Sequence, residues 1–116
     1  MAYNVALAAR VRTLVAPRRG IVEKSMFGGA AFLLNGHVGV GVWKEYLVVR
    51  LGVHQAEDAL KVAGIKPFDI TGRPMKGWVM IEIGALDNDE ELAEWVEKAI
   101  RLVRTLPPKR TQPPID

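Results

Sequence analysis

From Ser25 to Trp43, nineteen consecutive residues carry no Asp, Glu, Lys or Arg. A stretch that long could span a membrane or form the centre of a buried sheet. Gly28, Gly29, Gly36, Gly39 and Gly41 interrupt it, and Asn35-Gly36-His37 places a turn at its middle. Asn-Gly between two apolar runs is the strongest short-range signal for a β-hairpin. The stretch therefore reads as a buried hairpin, and the rest of the chain must supply what buries it.

The register follows from the turn. A two-residue Asn35-Gly36 loop sets Leu33 opposite Val38 and Ala31 opposite Val40. If Lys44-Glu45 is the next turn, Val42 faces Leu47, Val40 faces Val49 and Val38 faces Leu51. One face then carries a continuous apolar surface, which a slip of one residue would destroy. The other face carries Phe32, Gly39 and Arg50 in one row, with Phe32 expected to lie over the bare glycine, and Trp43 beside Tyr46.

Periodicity supplies the remaining elements. Leu7, Val11, Leu14 and Val15 mark a helix over about 4–16, with Asn4 as cap and Pro17 as stop. A second helix fits 54–63, ended by Gly64. The third runs over about 88–105, capped by Asp87 or Asn88. Asp89, Glu90 and Glu91 lie in its first turn, Arg101 and Arg104 near its end, matching the helix dipole. Its apolar stripe is Leu92, Trp95, Val96, Ala99, Ile100, Val103 and Leu106. Strands are expected at 21–26, 30–34, 37–43, 46–51 and 78–83, with a further short one at 68–70. The order is helix, four strands, helix, one or two strands, helix. It predicts an α+β two-layer sandwich with a mostly antiparallel sheet of five or six strands and helices packed on it.

At 116 residues with 49% hydrophobic content, the chain has room for one domain that buries roughly two thirds of its unfolded surface. We place that domain at 1–106. The segment 107–116 reads as an extended tail, since it holds four of the seven prolines with Lys109 and Arg110 between them. No basic segment precedes an apolar one at the N-terminus, so no secretory signal is expected and a cytoplasmic location is the default.

The chemistry-bearing residues are few. With no cysteine and only His37 and His54, nothing is spaced like a metal-ligand set. Ser25, the single serine, lies in a strand without a hydrolase elbow. The glycines at 36, 39 and 41 sit inside a hairpin, whereas a nucleotide fingerprint needs them between strand and helix. No catalytic residue, cofactor or metal is implied. Gly28-Gly29 reads as a bend where a side chain would block backbone approach.

Two features remain. Gly72-Arg73-Pro74-Met75-Lys76-Gly77-Trp78 could hold an anion with Arg73 and Lys76. It also reads as one structural turn, stiffened by Pro74 and anchored to the core by Met75 and Trp78, and this reading explains every residue in it. Arg10, Arg12, Arg18 and Arg19 give the first twenty residues four positive charges and no acid. They form an alternative nucleic-acid patch, to which Arg50, Arg73 and Lys76 add if the fold brings them together, although a solvated helix face also accounts for them and no DNA- or RNA-binding signature accompanies them.

Lys24-Ser25-Met26-Phe27-Gly28-Gly29, the Asn35-Gly36 hairpin, Val48-Val49-Arg50 and Phe68 followed by the 72–77 loop and Trp78 resemble the N-terminal domain of the TfoX/Sxy family, from Tyr3 to about Pro108. The resemblance implies a fold like that of secretion chaperones. It also implies a bacterial cytoplasmic protein tied to the regulation of competence genes, alongside the cyclic-AMP receptor protein at promoters. Regulators of that family carry a second, helical C-terminal domain, whereas this sequence passes into the proline-rich tail. The expected function is thus a non-enzymatic module that binds another protein or a second copy of itself, with a nucleic-acid-associated regulator the second reading, an enzyme of unknown class the third, and no membrane partner. Phe32, Trp43, Tyr46, Arg50, Arg73 and Lys76 are the candidate contact surface if no helix covers it. A buried second face is the competing account.

Overall fold

A computed structural model describes residues 3–26, 28–69 and 75–107. The helix α1 spans Val5–Val15. Four strands follow, β1 (Ile21–Met26), β2 (Gly29–Leu34), β3 (His37–Trp43) and β4 (Tyr46–Arg50). Then come α2 (Val53–Ala59), β5 (Ile65–Pro67), β6 (Trp78–Glu82), a 3-10 turn at Ile83–Ala85 and α3 (Asp89–Arg104). The six strands form one sheet in the order β1-β2-β3-β4-β6-β5, with every neighbouring pair antiparallel. This is the expected α+β two-layer architecture.

Polar caps and turn residues set the ends of the elements. The Asn4 side chain accepts from the Leu7 amide at 2.8 Å and starts α1. Asn88 accepts from the Glu90 amide at 2.7 Å and starts α3. Asn35 (φ 54°) and Gly36 (φ 84°) both adopt positive φ, the mirror-image turn whose twist suits a two-residue hairpin. α2 is shorter than its sequence pattern. Only Ala56 and Ala59 of it are buried, and the backbone tightens to three-residue turns at Lys61 and Val62 before Gly64 (φ 86°) leads into β5. The short extra strand also moves from its expected place. It is Ile65–Pro67, where buried Ile65 faces Ile81 and Pro67 is tolerated because the strand is at the sheet edge. Ile70, part of the strand expected at 68–70, lies outside the described residues.

The hairpin register departs from expectation at one residue. Leu33 pairs with Val38 as predicted, but Phe32 pairs with Val40 and Ala31 with Gly41, because Gly39 is an extra residue that bulges the strand. Val40 still faces Val49 and Val42 faces Leu47. The bulge resets which side chains share a face. Ala30, Phe32, Leu34, Val40, Val42, Leu47, Val49, Leu51, Val79 and Ile81 all enter the core beneath the helices, where Leu7, Val11, Leu92, Val96 and Val103 meet them. Phe32 is 3% exposed within that core, so it leaves the candidate contact surface, and Val38 falls on the face opposite Leu51.

Gly39 does not sit under Phe32. A Cβ at Gly39 would lie 3.0 Å from Val103 Cγ2 and 3.6 Å from the Ala99 carbonyl oxygen. The space above this glycine is taken by α3, which crosses β2, β3 and β4. Gly29 is tighter, since its Cβ would lie 2.1 Å from the Val42 carbonyl oxygen. This is the close backbone approach expected of the Gly28-Gly29 bend.

Candidate functional site

All buried helical side chains belong to the single core cluster. Among the described residues, no helix covers the opposite face of the sheet. Strand alternation places Val22 and Lys24 of β1, Ala31 and Leu33 of β2, and Gly41 and Trp43 of β3 on it. Tyr46, Val48 and Arg50 of β4 and Trp78, Met80 and Glu82 of β6 complete it. Lys66 of β5 is paired with Met80 and faces the same way. The centre is buried without a helix: Ala31 and Val48 are 0% exposed and Phe68 3%. Trp43, Tyr46, Arg50, Trp78 and Met80 are half-buried around it.

The aromatic residues form a connected layer. Trp43 is paired with Tyr46 across β3 and β4 and stacks on it at 6.4 Å between ring centroids. Phe68, just beyond β5, meets Trp43 edge-on at 6.0 Å and Trp78 at 5.9 Å. Such offset and edge contacts each contribute about 0.5–1.5 kcal/mol beyond area burial. Each exposed ring also carries a cation: Lys44 Nζ lies 4.6 Å from the Trp43 ring, Arg50 Cζ 5.6 Å from Trp78 and Lys66 Nζ 5.7 Å from Tyr46. The Lys66 ammonium is held above its ordinary pKa by Tyr46, through charge and then a hydrogen bond, and by Glu82, whose carboxylate is 3.5 Å away.

The structure therefore brings Trp43, Tyr46 and Arg50 together and moves Phe32 to the other layer. Lys76 is exposed in the turn before β6, while Arg73 lies outside the described residues. The anchoring of this turn differs from expectation. Met75 is 44% exposed and fastens the turn through its backbone, donating to the Phe68 carbonyl at 3.0 Å. Trp78 joins the aromatic layer instead of the helix-covered core. Gly77 (φ 85°) lets its carbonyl accept from the Leu51 and Gly52 amides at 2.7 and 3.1 Å. Phe68, Trp78, Lys44 and Lys66 complete the site, and the sequence alone places none of them on this face. A period-2 count does place Trp78, Met80 and Glu82 on one face, but only the pairing of β6 with β4 shows that it is the face of Arg50.

The N-terminal arginines behave differently. Arg10 donates to the Leu86 carbonyl and to Asp89, both at 2.7 Å. Arg12 makes a two-point contact with Glu23 at 2.7 and 2.8 Å, which lowers the Glu23 pKa. Arg18 pairs with Glu97. Arg10 and Arg12 tie α1 to α3 and β1, Arg18 ties the turn after α1 to α3, and Arg19 is left exposed. Elsewhere, no group of three His, Asp or Glu residues that could hold a metal exists among the described residues. His37 Nε2 meets the Pro107 carbonyl at 2.7 Å, Ser25 and His54 are exposed, and no described helix is long and apolar enough to cross a membrane. A groove of about 220 Å³ between α2 and α3, lined by Leu51, Gln55 and Trp95 among others, is smaller than the roughly 300–1,000 Å³ of most ligand pockets.

A six-stranded antiparallel sheet with three helices on one side and an aromatic, cation-bearing surface on the other defines an α+β protein with one sheet face that no described helix covers. The TfoX N-terminal domain family model matches residues 13–102, and the chain belongs to that family, which is not a known family of enzymes. Comparison with curated proteins and with solved structures gives no match.

Proposed function

We propose that this chain is a regulatory protein–protein interaction module with no catalytic activity of its own, related to competence and transcription regulators and working in the bacterial cytoplasm. One observation carries the reading: three half-buried rings, Trp43, Tyr46 and Trp78, lie with Arg50 on a sheet face that no described helix covers. Aromatic residues and arginine dominate the energetics of interface centres, because they exclude water over a large rigid area. Family membership supports a role in regulation.

The test compares wild type with a Trp43→Ala, Tyr46→Ala double variant in light scattering and in affinity capture from native lysate. The reading expects a captured protein, or a dimer, that the double variant loses while keeping its fold. Equal capture by both proteins, or a strict monomer retaining nothing, contradicts it. The nucleic-acid reading through Arg10, Arg12, Arg18 and Arg19 is weakened by the carboxylates that three of them already hold. It requires DNA binding that falls steeply between low and moderate salt.

A further inference from the structure

We infer that the occupant of the open face is an acidic segment of another protein, its carboxylates pairing with the cations that lie on the aromatic layer and its apolar side chains resting between them. This rests on the interaction reading above and adds the chemistry of the partner.

On the helix side, three arginines find carboxylates, Arg10 with Asp89, Arg12 with Glu23 and Arg18 with Glu97, and Lys98 lies over a ring, that of Trp95. On the open face the cations find rings. Lys44 and Arg50 lie over Trp43 and Trp78, and no described carboxylate comes within ion-pair distance of either. Lys66 has Tyr46 and the carboxylate of Glu82, and Lys24 projects from β1 on the same side. Among the described strand and turn residues placed on this face, four cations thus share a mostly apolar surface with Glu82. Such a surface attracts an acidic partner at long range and discriminates against a basic one.

The same placement disfavours the other occupants. A second copy docked face to face about a two-fold axis would set this cationic patch against itself, with like charges opposed across the contact. A single-stranded nucleic acid would have to stack its bases on the ring faces, and it would compete there with Lys44, Arg50 and Lys66, each of which lies over one of the rings. A carboxylate can bind each cation where it stands and leave the ring covered.

The chain contains its own reporters. Trp43 and Trp78 are on the open face, while Trp95 packs against the core on the helix side. Their indole N–H signals can be followed by NMR during titration with a glutamate–tyrosine copolymer, with poly-lysine and with a short single-stranded oligothymidylate. The copolymer should shift Trp43 and Trp78, leave Trp95 in place, and bind less tightly as ionic strength rises. A Lys44→Glu, Lys66→Glu double variant should bind it about tenfold more weakly, as expected for the loss of two exposed ion pairs. Circular dichroism checks the fold, and the wild-type shifts decide the matter alone if the variant is destabilised. Silence of Trp43 and Trp78 with the copolymer, an equal shift of Trp95, or tighter binding of oligothymidylate at the same indoles overturns the inference. Broadening of Trp43 and Trp78 with protein concentration alone also overturns it, by identifying a second copy as the occupant, and leaves the interaction reading intact. Failure of the copolymer while capture still depends on Trp43 likewise removes only the acidic chemistry.

Discussion

Replacing Gly29 by alanine should destabilise this protein more than the same change at Gly39 or Gly84. The added Cβ would lie 2.1 Å from the Val42 carbonyl oxygen, where real Cβ atoms do not approach within 3.0 Å, and the atom it meets is backbone. Relief requires β2 and β3 to move apart where Ala30 pairs with Val42, so overpacking acts on the ladder itself. We set the cost at about 3 kcal/mol, the upper end of the usual range for overpacked sites. Gly39→Ala meets Val103 Cγ2 at 3.0 Å, a side-chain end on α3 that can yield, and should cost about 1 kcal/mol. Gly84→Ala has nothing within 4 Å and should stabilise by about 0.5 kcal/mol through the unfolded chain. Urea unfolding measures all three. With a slope of about 1.5 kcal/mol per molar, Gly29→Ala lowers the midpoint by about 2 M. A Gly29→Ala midpoint matching wild type, or an order of the three variants other than this one, would refute the packing argument.

Phe32→Ala should cost about 3–5 kcal/mol, as for a large aromatic removed from a core, since Phe32 is 3% exposed beneath α3. Thermal melts check this, and a near-neutral change would return Phe32 to the surface. Asn88→Ala should cost about 1 kcal/mol by removing the acceptor for the Glu90 amide, read as a lower melting temperature. Arg12 holds the Glu23 carboxyl below its usual pKa, mainly through their hydrogen bond. The native pKa is therefore lower than the unfolded one, so the ion pair stabilises above the ordinary glutamate range near pH 4.3 and is lost as pH falls through the native value. The difference in melting temperature between wild type and Glu23→Gln should be constant at neutral pH and close in acid. A difference that widens in acid would show the sign to be wrong.

Local signals in the sequence accounted for most of the layers. Asn35-Gly36, Asn4 and Asn88 act within a few residues of themselves, so their turn and caps are readable from the chain alone. The bulge at Gly39 is not. A glycine in a strand is compatible with regular pairing, and only the approach of Val103 from α3, more than sixty residues away in sequence, shows why the extra residue is there. That single bulge moved Phe32 from one face to the other. The candidate site was legible to the same extent. Trp43 and Tyr46 flank one tight turn and could be paired by counting, whereas Phe68 and Trp78 reach them only because β6 returns beside β4. The arginines of α1 looked available in sequence because their acids, Glu23, Asp89 and Glu97, arrive from other elements.

The most direct test of the open face as the working surface is site-specific photo-cross-linking in the cell. A benzophenone amino acid would replace Tyr46 on that face in one variant and exposed Glu94 on α3 in another. The account predicts a discrete cross-linked species from position 46 that is absent from position 94. Cross-links from position 94 alone, or identical products from both, would contradict it.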